Sequence, residues 1–212
     1  MSGLEWDTIA LLTGTAFLAG FIDSIAGGGG LLTVPALLIA GVDPVTAVAT
    51  NKVQGTLSIF SALVTYGRKG LIEWRASVPM GIVALIFGGC GALLIQFFSK
   101  EVIAALIPIL LISVALYFGL MRGVGDADRR ARLSLPVFLS LVIPPLALYD
   151  GFLGPGAGSF YAAVLIGLLG LGITRMTAMA KVLNGGSNLG SLIVYSIAGA
   201  VHWPLGLAMG LA

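Results

Sequence analysis

Cysteine and histidine occur once each, as Cys90 and His202, and charged residues make up only 9% of the 212-residue chain. A lone cysteine excludes an intramolecular disulfide framework and a cysteine-cluster metal centre. No histidine–cysteine constellation for catalysis is available either. A nucleophile elbow and a Walker motif are also missing, which argues against an enzyme and against an ATP-driven pump within this chain. The N-terminus, MSGLEWD, carries two acids and no lysine or arginine, the reverse of a secretory leader. A net charge of +2 selects no partner. No metal, cofactor or nucleic acid is expected.

Apolar sequence fills the gap: 58% of the residues are hydrophobic and the mean hydropathy is +1.07, whereas soluble domains are roughly a quarter charged. The composition predicts an all-α polytopic membrane protein, with the lipid bilayer as its first partner. Runs at 76–98 and 102–120 are long enough to span, since about 20 helical residues cross a hydrocarbon core of about 30 Å. Those at 44–66 and 182–201 are less uniform but suffice. In lipid the backbone must satisfy its own hydrogen bonds, so these long runs are read as helices. Cys90, among glycines, reads as a small packing residue. Trp74 and Trp203 read as interfacial anchors, with His202 beside the second.

Two segments break the pattern. In GFIDSIAGGGGLLTVP (20–35), Asp23 precedes four glycines, and in LYDGFLGPGAGSFYAAVL (148–165), Asp150 stands before Gly154 as Asp23 does before Gly27. Glycine runs expose backbone groups, which membranes tolerate only where protein or a water-filled cavity covers them. The breaks recur because the chain repeats itself. SIFSALVTYGRKGLIEW from Ser58 and SNLGSLIVYSIAGAVHW from Ser187 align without gaps, matching Tyr66 with Tyr195, Gly70 with Gly199 and Trp74 with Trp203 at an offset of 129 residues.

Basic residues favour the cytoplasmic side of short loops. Arg68, Lys69 and Arg75 mark one such loop, and Arg122, Arg129, Arg130 and Arg132 another. The polar-headed helix ends at its basic side in the first copy and begins near Arg175 and Lys181 in the second, so the copies are read as inverted. The expected architecture is two inverted structural repeats whose broken, re-entrant-like helices meet at the bilayer midplane. Residues 1–121 form the first repeat, 122–132 an Arg-rich cytoplasmic linker and 133–212 the second repeat. The second copy lacks the last two spans of the first, which predicts about 40 further residues in the intact protein.

Discontinuous helices in inverted repeats belong to secondary transporters, where half-helix N-termini face anionic substrates. Gly28, Gly29, Gly30, Gly156 and Gly158 are therefore candidates to present backbone N–H groups to an oxyanion, against the alternative that they only allow close helix packing. ATNKVQG and AKVLNGGSN place Asn51 and Lys52 in one half and Lys181, Asn184 and Asn188 in the other. Ionisable residues inside a membrane are functional by default, although both lysines could instead snorkel. Two lysines and three amides suit a small anion. Asp23 and Asp150 are candidate proton carriers, with a bracing salt bridge to Lys52 or Lys181 as the competing role.

The motifs GFIDSIAGGGG, ATNKVQG, YDGFLGPGAGSF and AKVLNGGSN, in this order and spacing, resemble the sulfite exporter TauE/SafE family of membrane transporters. The resemblance implies movement of sulfite, thiosulfate or organosulfonates across an inner, plasma membrane by a multi-pass, ion-coupled secondary transporter, with export the expected direction. An anion channel of the same architecture and a non-transporting scaffold are the alternatives. Self-association into a homo-oligomer stays open.

Overall fold

The computed structural model describes residues 6–120 and 130–212, and among them every regular element is helical. Arg122 and Arg129 of the expected linker lie outside the described residues. Helix α1 (Trp6–Ala26) is followed by α2 (Gly30–Ile39), α3 (Pro44–Arg68), α4 (Trp74–Leu94) and α5 (Lys100–Leu120). After the linker come a single turn α6 (Leu135–Val137), α7 (Ile143–Phe152), α8 (Ala157–Leu169), α9 (Ile173–Ile197) and α10 (Trp203–Leu211). A π-type stretch, Phe138–Val142, joins α6 to α7. Pro144 and Pro145 follow it, and their missing N–H groups leave the carbonyls of Ser140 and Leu141 without the usual i+4 donors, which favours a local change of register. Trp74–Phe97 and Leu135–Phe152 are each long and apolar enough to cross a membrane.

Polarity is distributed inside out. The outer faces of α4 and α5 present Val78, Ile82, Ile86, Ile109, Ile112 and Leu116 as exposed apolar side chains, while Lys52, Asp150, Lys181, Asn184 and Asn188 are buried. Soluble proteins almost never bury charged residues behind an apolar exterior. On α9, Thr177, Lys181, Asn184, Asn188 and Ser191 recur every three or four residues and form one buried polar stripe.

Helices α4, α7 and α9 pack with backbone against backbone. A Cβ at Gly88, Gly91, Gly151, Gly186 or Gly190 would run into main-chain atoms of a facing helix, so no larger residue fits at these crossings. Cys90, expected in that packing, is instead exposed: Gly88 and Gly91 occupy the packed face and leave position 90 outside. Around this contact Met80, Phe138, Tyr161 and Leu183 form one apolar cluster, and Val34, Val48, Ile103 and Tyr195 form a second.

Asp43 shows how the sequence starts a helix. Its carboxylate accepts from the Val45 and Thr46 amides, Pro44 fills the first position of α3, and Lys100 pairs with it at 2.7 Å. Partial burial works to raise this carboxyl, but the Lys100 ammonium and the two amides outweigh it and hold it below its usual value. Its contribution is thus complete above the unfolded value of about 4 and is lost as pH falls through the lower folded one. Asp43→Ala is expected to lower stability by about 1 kcal/mol at neutral pH. Thermal melts in detergent should show that difference shrinking below pH 4.

Candidate functional site

The two glycine breaks touch. Gly27 and Gly28 turn the chain with φ of +77° and +100°, and Gly154 and Gly156 do so with +88° and +80°, in the left-handed region where glycine alone is unstrained. A Cβ on Gly27 would sit 2.7 Å from the Gly158 carbonyl carbon, and Ser159 Oγ donates to the Gly27 carbonyl at 3.1 Å. The N-terminal ends of α2 and α8 are thereby brought together, each with first-turn amides that have no partner inside their own helix.

Where the breaks meet lies a small cavity of about 30 Å³, room for one or two water molecules. Gly28, Gly29 and Gly30 line it from one break, and Gly156 and Gly158 from the other. Helix α3 contributes Asn51 and Lys52, α9 contributes Asn184 and Asn188, and the two carboxylates are Asp23 and Asp150. Every residue proposed from the sequence to bind the anion or carry a proton is on this wall except Lys181, which lines an adjoining pocket of about 10 Å³ with Gly27, Gly158 and Asn184.

The ionic residues pair across the halves. Lys52 Nζ donates to Asp150 Oδ1 at 2.6 Å and to the Asp150 carbonyl at 2.5 Å, with both side chains almost fully buried. Ser187 donates to Asp150 Oδ2, so both carboxylate oxygens are held. Lys181, the counterpart of Lys52 at the 129-residue offset, donates to the Asp23 main-chain carbonyl. No cation lies within ion-pair distance of the Asp23 carboxylate among the described residues. Its Oδ1 accepts from the Gly29 amide at 3.2 Å, which removes that amide from anion binding.

The amides are partly engaged. Asn188 Nδ2 donates to Asn184 Oδ1 at 2.7 Å, and Thr33 donates to Asn51 Oδ1. Each bond fixes an amide oxygen and leaves the nitrogen of the same group facing inward. Asn51 Nδ2 stands 3.2 Å from where a Cβ on Gly30 would lie, and Asn184 Nδ2 2.9 Å from one on Gly158. Among the described residues no acceptor reaches either nitrogen. One free NH₂ donor therefore stands beside the start of each half-length helix, with Lys52 close to Gly154. Such a set of donors can surround a small oxyanion.

Sequence reading missed Thr33 and Ser187, which set the orientation of Asn51 and Asp150. Ser187 lies inside the NGGSN motif between the two asparagines, a spacing that could have drawn attention to it. Thr33 carried no comparable signal, because its role depends on the fold bringing α2 against α3.

A family model described as sulfite exporter TauE/SafE matches residues 12–212. The probable membrane transporter protein ORF9 of a Sinorhizobium species is 44% identical over all of this chain and 81% of its own length. The probable membrane transporter protein YfcA of Escherichia coli is 42% identical over 95% of the chain and 75% of its own. A probable membrane transporter protein of Haemophilus influenzae is 39% identical over 96% of the chain and 80% of its own. No solved structure matches the chain.

Proposed function

Since the chain belongs to the sulfite exporter TauE/SafE family of membrane transporters, we propose that it is a multi-pass secondary transporter of the inner membrane. Its substrates are small sulfur-containing oxyanions such as sulfite, thiosulfate or organosulfonates, and it works as an ion-coupled exporter rather than as an enzyme. The observation that carries this reading is the pair of unpartnered amide nitrogens, Asn51 Nδ2 and Asn184 Nδ2, each beside the start of a half-length helix on the wall of one small cavity. Helix N-termini carry partial positive charge, and uncharged donors hold an anion without trapping it.

The reading also rests on internal symmetry. Gly210 packs on Leu57 where Gly81 packs on Gly186, the same offset of 129 residues on both sides of the contact. The Lys52–Asp150 and Lys181–Asp23 contacts are likewise crosswise. Two inverted repeats around one binding point account for both, and alternating access is the mechanism such repeats support. A cavity of about 30 Å³ is smaller than the proposed substrate, so it must widen to take it, and alternating access has it do so toward either side in turn. A channel, by contrast, needs a continuous path.

The test is radiolabelled sulfite counterflow in proteoliposomes. Saturable, trans-stimulated exchange supports a transporter. Non-saturating flux without trans-stimulation would favour the channel, and no flux would remove transport of this substrate altogether. Asn184→Asp replaces a free donor with a like charge and is expected to reduce sulfite exchange at least tenfold, with the melting temperature separating lost binding from lost folding.

A further inference from the structure

We infer that the site selects singly charged oxyanions, hydrogen sulfite and small monosulfonates, and discriminates against dianions such as sulfate and thiosulfate. This rests on the transporter reading above and narrows its substrate class by charge, at the expense of thiosulfate.

The formal charges around the cavity cancel. Asp23, Lys52 and Asp150 are the charged residues on its wall, and Lys181 lines the adjoining pocket. Two ammonium groups thus stand against two carboxylates, and no arginine lines either space among the described residues. Both ammonium groups are already engaged. Lys52 donates to Asp150 Oδ1 and to the Asp150 carbonyl, and Lys181 donates to the Asp23 carbonyl.

The helix ends cancel as well, each being equivalent to roughly half an elementary charge. The positive N-termini of α2 and α8 meet at the cavity, and the negative C-termini of α1 and α7 stop at the same two breaks. At the start of α2 one amide already holds a resident anion, because Gly29 N–H donates to Asp23 Oδ1. The donors that remain are neutral. Asn51 Nδ2 and Asn184 Nδ2 have no acceptor among the described residues, and each stands at the start of one half-length helix.

A neutral set of oriented donors suits one negative charge. The cost of taking an ion out of water grows with the square of its charge, so a dianion meets about four times the penalty of a monoanion of equal size. A surplus cation would offset that penalty by direct attraction, which is far stronger in the interior than in water. The lining supplies none. The second charge of a dianion would also lie near the Asp23 and Asp150 carboxylates on the wall of a cavity of about 30 Å³, where like charges repel. Hydrogen sulfite escapes this because a proton removes its second charge, and a sulfonate because a carbon substituent does.

The experiment measures inhibition of radiolabelled sulfite counterflow by methanesulfonate and by sulfate, in proteoliposomes holding the full chain, at one pH and one ionic strength. The two competitors have nearly the same size and shape and differ by one charge. Methanesulfonate is expected to inhibit at a concentration at least tenfold lower than sulfate requires. Sulfamate, a monoanion with a polar amino group in place of the methyl, should match methanesulfonate and so separate charge from apolar contact. Asp23→Asn leaves one lysine charge unbalanced, and in that variant sulfate should gain at least tenfold on methanesulfonate. Sulfate inhibiting as well as methanesulfonate, or better, overturns the inference, and so does failure of both monoanions to inhibit. A ratio in exchange-competent Asp23→Asn equal to that of the unaltered protein overturns it too. If that variant exchanges nothing, the ratio in the unaltered protein decides. Each of these outcomes leaves transport standing, whereas absence of counterflow in the unaltered protein defeats the transporter reading itself.

Discussion

Asp150→Asn is expected to destabilise the folded protein by about 3–5 kcal/mol, because it leaves the Lys52 ammonium buried without its counter-charge. The pair is nearly dry and is held at both ends, with Lys52 also bonded to the Asp150 carbonyl and Ser187 to the second carboxylate oxygen. An exposed pair would be worth 1 kcal/mol or less, so the magnitude itself reports burial. Asp23→Asn removes no ion pair and should change the melting temperature far less. The double substitution Lys52→Met with Asp150→Asn removes both charges together and should recover much of the loss, since uncharged replacements of a buried pair are often close to neutral. Denaturant or thermal unfolding in detergent measures all three. Equal destabilisation by Asp23→Asn and Asp150→Asn would contradict the unequal pairing of the two carboxylates.

Gly27→Ala is expected to be nearly as damaging, for a different reason. The residue sits at φ +77° and its new Cβ would fall 2.7 Å from the Gly158 carbonyl carbon, against main chain that cannot rotate away. The left-handed backbone adds about 1–2 kcal/mol, and overpacking about 1–3 kcal/mol more. Gly41 supplies the control, because its φ is +79° but nothing lies within 4 Å of its Cβ position. Gly41→Ala should therefore show the backbone part alone. If the two variants melt together, the breaks are not in contact. If Gly27→Ala folds, separation of the breaks should spread the donors around the cavity and depress sulfite exchange well beyond the effect of Gly41→Ala.

Much of this site was legible because a membrane protein has few reasons to spend polarity inside. Asp23, Lys52, Asp150 and Lys181 stood out against 58% apolar sequence, and the glycines beside the two acids announced where helices stop. The span expected at 44–66 is the helix Pro44–Arg68, which Asp43 and Pro44 start. The span expected at 182–201 is Ile173–Ile197 instead. Its first residues dilute the apolar signal: Thr174 and Arg175 are exposed, and Thr177 and Lys181 are polar although buried. What could not be read was partnership. Lys52 meets Asp150 from 98 residues away, and spacing along the chain says nothing about which of two equivalent acids a lysine will choose. The same limit hid Thr33, and it hid the outward direction of Cys90, which follows from which glycines the neighbouring helices use.

The bare crossings of α4 on α7 and α9 have a mechanical consequence. With main-chain atoms in direct contact at Gly88, Gly91, Gly151, Gly186 and Gly190, there are no side chains to repack as one helix slides past another, and a shift of even part of a turn would drive the next residue's Cβ into a carbonyl. These three helices must therefore travel as one rigid frame. On the proposed transport reading, the freedom needed to open the cavity falls to the joints that interrupt the chain, at Gly27–Gly28 and Gly154–Gly156. The short arms α2 and α8 then swing against a stator that carries Asp150 and Lys181 with it.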